Sequence, residues 1–142
     1  MKTVIIFLML IFPYATIAGP LHSAVLANNV ELIEQLLAKG ENANEINEEG
    51  IWPLLIASTY GFADVSELLI NKGANVNQAN KHGYTALHEA ASMGYIKVVK
   101  VLVNNQADVN KVDINNYNAL KYAQTSGTPM VVRYLKRNGA VE

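Results

Sequence analysis

Leucine recurs every 33 residues through most of this chain: Leu21, Leu54, Leu87 and Leu120 form one column, and Leu36, Leu69, Leu102 and Leu135 another. Ala24, Ala57, Ala90 and Ala123 keep the same register. A fixed period constrains folding more than any local propensity, because one small unit must repeat and stack, each copy touching only its neighbours. Four units cover residues 19–142, approximately as 19–49, 50–82, 83–115 and 116–142. Two further columns concern the backbone: Asn28, Gly61, Gly94 and Gly127 in mid-unit, and Gly40, Gly73, Gln106 and Gly139 near the end. Both suit a positive φ, which glycine adopts without strain.

The third unit shows the local logic. Thr85 to Ser92 reads as a short helix with Thr85 as a capping hydroxyl, and Gly94 allows the left-handed turn that ends it. A second helix, Tyr95 to Asn104, carries Ile96, Val98, Val99, Leu102 and Val103 as an apolar stripe. Gln106-Ala107-Asp108-Val109-Asn110 then suits an extended arm, as does Gly73-Ala74-Asn75-Val76-Asn77 in the second unit, with Gly50 and Gly83 at the reversals. The unit is helix, turn, helix, hairpin loop, and no single unit can bury its own stripe.

Gly83-Tyr84-Thr85-Ala86-Leu87-His88-Glu89-Ala90-Ala91 through Ala107-Asp108-Val109-Asn110 closely resembles an ankyrin repeat, and Gly61 to Asn77 does so nearly as well. The resemblance implies an all-α ankyrin-repeat solenoid of helix-turn-helix units joined by β-hairpin-like loops. It also implies a protein that binds another protein and is not an enzyme. In this family the histidine of the first helix bonds neighbouring backbone, which assigns His22 and His88 to structure. The recurring Asn44, Asn77 and Asn110 belong to the same pattern. The second unit departs from it: Trp52 and Leu55 replace the Thr and His together, as when a polar pair is exchanged for an apolar contact. Packing is favoured for Trp52 over a role as an exposed binding anchor.

Residues 1–18 stand outside the repeat. Met1-Lys2 supplies a positive start, Val4 to Tyr14 an apolar stretch containing Pro13, and Thr16-Ile17-Ala18 a small-x-small site. These are the marks of a cleavable signal peptide with cleavage after Ala18, and the apolar run is short for a bilayer span. The expectation is an exported protein, periplasmic or secreted, with no membrane association after cleavage. The first unit, opening at Gly19-Pro20, is expected to serve as an N-terminal cap, and the amphiphilic last helix with Tyr134, Lys136 and Arg137 as the opposite one.

The chain has no cysteine, which excludes disulfides and thiolate chemistry. Without Lys2, ten basic residues face twelve acidic ones, which argues against nucleic acid as partner. The charge is unevenly spread: Leu21 to Glu49 holds six Glu against Lys39, whereas eight Lys and Arg face four acids from Lys81 onward. The solenoid should be acidic at one end and basic at the other. No histidine pair has metal-ligand spacing on one helix face, and Glu41, Glu45, Glu48 and Glu49 lack the alternation of a calcium loop. Ser23, Ser58, Ser92 and Ser126 sit in no nucleophile elbow. No catalytic, cofactor or metal residue is assigned, and no Asn-x-Ser/Thr sequon occurs.

Function is therefore expected on positions the repeat leaves free, lining a concave groove of arms and first helices. They are Glu48, Glu49, Ile51, Thr59 and Tyr60; Lys81, His82, Tyr84, Ser92 and Met93; and Ile114, Asn115, Tyr117, Thr125 and Ser126. Ile51, Tyr84 and Tyr117 form a ladder along the arm tips, Tyr60 and Met93 a shorter row beside it, and His82 lies between. Aromatic side chains with a polar handle suit protein recognition, and packing between arms is the competing role. The expected molecule is a monomer binding a protein, as an immunity or accessory protein of a bacterial envelope. An effector passed onward into a host cell is the alternative, and an enzyme or small-molecule binder a remoter one.

Gln106 stands where its three counterparts are glycine. A side chain in the left-handed region costs about 1 kcal/mol, so Gln106→Gly should stabilise by about that amount. A urea midpoint equal to or below that of the parent would remove the idea.

Overall fold

The computed structural model describes residues 19–142. The expected signal peptide, residues 1–18 with its cleavage after Ala18, lies outside the described residues. Eight α-helices in four pairs make up the described part: α1 (Pro20–Leu26) with α2 (Val30–Ala38), α3 (Pro53–Tyr60) with α4 (Ala63–Asn71), α5 (Ala86–Met93) with α6 (Ile96–Asn104), and α7 (Ala119–Thr125) with α8 (Pro129–Arg137). The inner row α1, α3, α5, α7 stacks in order, and α4, α6 and α8 stack outside it. The solenoid expected from the 33-residue period is the fold observed. Its arms follow hairpin paths built from turns, and among the described residues one isolated bridge, Ala79 to Thr85, joins extended positions.

Helix starts follow local chemistry. Pro20, Pro53 and Pro129 occupy first helical positions, where a missing N–H removes no bond. Asn29 and Asn118 accept the amides of Leu32 and Lys121. Thr85 caps α5 as expected, with extended backbone at φ −118°. Its hydroxyl accepts the His88 amide at 3.4 Å, and the His88 ring accepts the Thr85 amide at 3.0 Å, a reciprocal box in which histidine replaces the usual Glu.

The leucine columns form the core. Leu21, Leu54, Leu69, Leu102 and Leu135 expose nothing, and Leu36 of the first unit is half-buried. Units approach most closely at mid-unit glycines: a Cβ on Gly61 would lie 2.9 Å from the Tyr95 ring, and one on Gly94 2.8 Å from Thr128. Gln106 does adopt the left-handed conformation, at φ 69°.

Trp52 is fully buried, so packing is its role and it offers no surface to a partner. Leu55 packs half-buried against the core. The Trp52 indole N–H has no partner, and neither does the buried Ser58 hydroxyl. The histidines bond backbone as the resemblance implied: His22 Nε2 lies 3.1 Å from the Ile51 carbonyl and His88 Nε2 2.9 Å from that of Lys111. In the fourth unit Asn118 covers both jobs, capping α7 through Oδ1 and donating from Nδ2 to the Val141 carbonyl at 2.8 Å.

The recurring asparagines tie each arm to the next. Asn44 donates to the Gly73 carbonyl and accepts the Asn75 amide; Asn77 does the same to Gln106 and Asp108, and Asn110 to Gly139 and Val141. Each bond contributes roughly 0.5–1.5 kcal/mol. Asn77→Ala, losing two such bonds at a solvent-touched site, should cost about 1–2 kcal/mol in urea unfolding. A change near zero would show that water replaces them at no loss.

Candidate protein-binding surface

Each arm tip is a reversal organised by one side chain. Asn47 Oδ1 accepts the amides of Glu49 and Ile51, Asn80 Oδ1 those of His82 and Tyr84, and Asp113 Oδ1 those of Asn115 and Tyr117, all within 2.9–3.1 Å. Gly50, Gly83 and Asn116 complete the turns at positive φ. The Ile114 amide donates to the His82 carbonyl at 2.8 Å, joining the second tip to the third. Backbone bonding thus fixes the tips and leaves Glu48, Glu49, Lys81, His82, Ile114 and Asn115 free to project, all of them exposed.

The expected ladder does not form a uniform row. Ile51 is half-buried against the core beside the carbonyl that His22 reaches, which supplies the packing reason for its apolar character. Tyr84 is half-buried too: its ring stacks on His88 with centroids 5.3 Å apart, and its hydroxyl donates to Glu89 at 2.7 Å. Tyr117 remains 41% exposed. In the second row Tyr60 and Met93 are 45% and 49% exposed, and His82 is exposed at its tip. Tyr60 stacks on Phe62 at 5.7 Å.

Tyr122 and Asp113, absent from the expected set, connect the aromatic residues. The Tyr122 ring meets Tyr84, His88 and Tyr117 edge-on at 5.5–5.8 Å, and its hydroxyl donates to Asp113 Oδ2. Each stands out in its own column: Tyr122 follows Ile56 and Glu89, and Asp113 follows Asn47 and Asn80. The Ile46, Ala79, Val112 column was missed as well, and Ile46 and Val112 are 49% and 43% exposed.

The cluster's electrostatics favour one protonation state. Burial, then the Glu89 carboxylate, pushes the Tyr84 phenol well above its usual range. Burial and Asp113 push Tyr122 up to about 12. Burial works to raise Asp113, but hydrogen bonds from Tyr122, Tyr117 and Asn115 outweigh it and hold the carboxyl below its ordinary value. Because His88 Nδ1 accepts the Thr85 amide, its proton sits on Nε2, and burial lowers its pKa against the opposing pull of the Lys111 carbonyl. All four groups are held in the form that locks arm to helix.

Charge along this surface changes sign. Glu45, Glu48 and Glu49 are exposed at the first arm, and Lys81, Lys111 and Lys121 at the second, third and last unit. A notch of about 370 Å³ at the last unit is bordered by Tyr117, Lys121, Gln124 and Val141. Among the described residues no group of three or more His, Asp and Glu side chains could hold a metal ion, and no helix is long and apolar enough to cross a membrane.

A family model described as ankyrin repeats, in three copies, matches residues 21–113. A search of the curated proteins gave no match.

The His88 environment has a pH consequence. Its folded pKa lies below the ordinary 6.5, so below that value the unfolded chain takes up a proton that the folded one resists, and stability falls. Asp113 titrates below 3.8 and stays ionised across this window. The urea midpoint should drop between about pH 7.5 and about pH 5.5, and drop less in His88→Gln. An equal drop in both proteins would place the pH dependence elsewhere.

Proposed function

Because this chain belongs to the ankyrin-repeat family, whose repeats serve protein–protein interaction, we propose that it is an exported module that binds one partner protein along its concave groove. The observation that carries the reading is the exposure of Tyr60, Met93, Ile114 and Tyr117 on inner helices and on an arm whose turn is already set by its own hydrogen bonds. Much of their apolar surface stays open even where Tyr60 stacks on Phe62 and Tyr117 meets Tyr122, and large aromatic and Met side chains on a rigid frame are what interface centres use. The acidic first arm and the basic later ones orient the partner and raise its association rate. The Met1–Ala18 segment, with its basic start, apolar run and small-x-small end, supports export. A small exported binder with no assigned chemistry fits an immunity or accessory protein of a bacterial envelope.

Expression of the tagged full chain in Gram-negative cells, followed by fractionation and capture, tests this. The protein should appear in the periplasm with Gly19 as its first residue and hold one main partner. Tyr60→Ala/Met93→Ala/Tyr117→Ala, all at exposed positions, should lose that partner while keeping its helical circular dichroism. A cytoplasmic product retaining Met1–Ala18 sinks export, and unchanged capture by the triple variant sinks the groove.

A further inference from the structure

The outward faces of the outer helices carry two columns of the 33-residue repeat. One reads Glu31, Asp64, Lys97, Met130, and the other Glu34, Glu67, Lys100, Arg133. All are exposed except Glu67, which is half-buried near the Asn105 amide at 3.4 Å. The charged residues within α2 and α4 are therefore all acidic, and those within α6 and α8, where Lys136 and Arg137 join them, all basic; Lys39 and Lys72 lie just past the ends of α2 and α4. The sign changes once, midway along the solenoid.

The repeat puts like next to like: Glu34 and Glu67 follow one another in their column, and so do Lys100 and Arg133, which sit on the contacting helices α6 and α8. Neighbouring like charges repel, and a face shaped only for the isolated molecule would do better to alternate. Among the described residues the one salt bridge, Lys136 to Glu142, lies outside these columns. Among the described residues the charges of these columns find no opposite partner.

We infer that two copies of this chain pair side by side through this face as an antiparallel dimer, about a two-fold axis between α4 and α6. The axis sets α2 opposite α8 of the other copy and α4 opposite α6, so every facing pair is of opposite sign and the contact is closed. Met130, 67% exposed in a column whose other members are charged, adds one apolar side chain to the contact.

End-to-end stacking is disfavoured by the last unit's end face. Gln124 and Lys136 are exposed there, in columns where Val25, Ser58 and Ala91 are buried and Leu37, Ile70 and Val103 half-buried, and both bond Glu142. That face is a polar cap. The pairing replaces the monomer expected from sequence, leaves the concave groove open, and does not depend on what the groove binds.

Sedimentation velocity of the purified protein tests the pairing. At about 0.02 M salt, where charges are felt over roughly 20 Å, the mass should be twice that of one chain; at about 0.5 M, where the range is roughly 4 Å, the dissociation constant should rise at least about tenfold. Glu31→Lys/Glu34→Lys and Lys100→Glu/Arg133→Glu, all surface changes checked by circular dichroism, should each be monomeric alone and form a two-chain species when mixed. A monomer at low salt, a dimer indifferent to salt and to both reversals, or masses that grow beyond two chains would overturn it.

Discussion

An ankyrin helix pair has an apolar flank that water touches unless another pair lies against it, and nearly everything in this molecule follows from meeting that need at constant register. The buried columns of leucine and alanine are the flank repeated. The glycines at Gly61 and Gly94 are where one unit's turn accepts the next unit's Tyr95 or Thr128 without a side chain between. Since each unit touches only its neighbours, stability accumulates along the stack and local exceptions remain local. The second unit could exchange its Thr and His for Trp52 and Leu55, and the fourth could compress both polar roles into Asn118, without disturbing the period.

Hydrophobic stacking fixes the distance between units but carries little directional information; the arms supply it. Asn44, Asn77 and Asn110 each take one donor and one acceptor from the following arm, so sliding or tilting one unit breaks two bonds at once. The tips are set by a second series, Asn47, Asn80 and Asp113, each satisfying two amides of its own turn. With the turns set this way, the exposed side chains at the tips and at the inner-helix ends are not needed to hold the arm backbone in place. They are the part of an ankyrin surface on which recognition can vary.

The molecule thus presents two polarised surfaces of different character. The concave side mixes exposed apolar and aromatic groups with charges that change from acidic to basic, and it suits a partner held in one orientation. The outer side carries charge in two blocks with little apolar area, and it suits a self-complementary contact sensitive to salt. Both polarities descend from the same gradient of Glu and Lys along the chain, read out on opposite faces because residues on arms and on outer helices point away from each other.

Sequence alone determined the repeat, its four-fold extent, the helix-turn-helix unit, the left-handed positions including Gln106 and the structural use of His22 and His88. Those features depend on periodicity and on local backbone chemistry, which a linear string records directly. It also listed the free positions from which any groove must be built. What tertiary structure decided was how far each free side chain is free. Ile51 turned out to pack on the core and Tyr84 to stack on His88, while Tyr60, Met93 and Tyr117 stayed exposed. The Tyr122–Asp113 link between the rings, and the sorting of outer-helix charges into an acidic and a basic half of one face, likewise needed three dimensions. Burial and facing depend on which units lie alongside, and a residue's column says which position it repeats, not what lies against it.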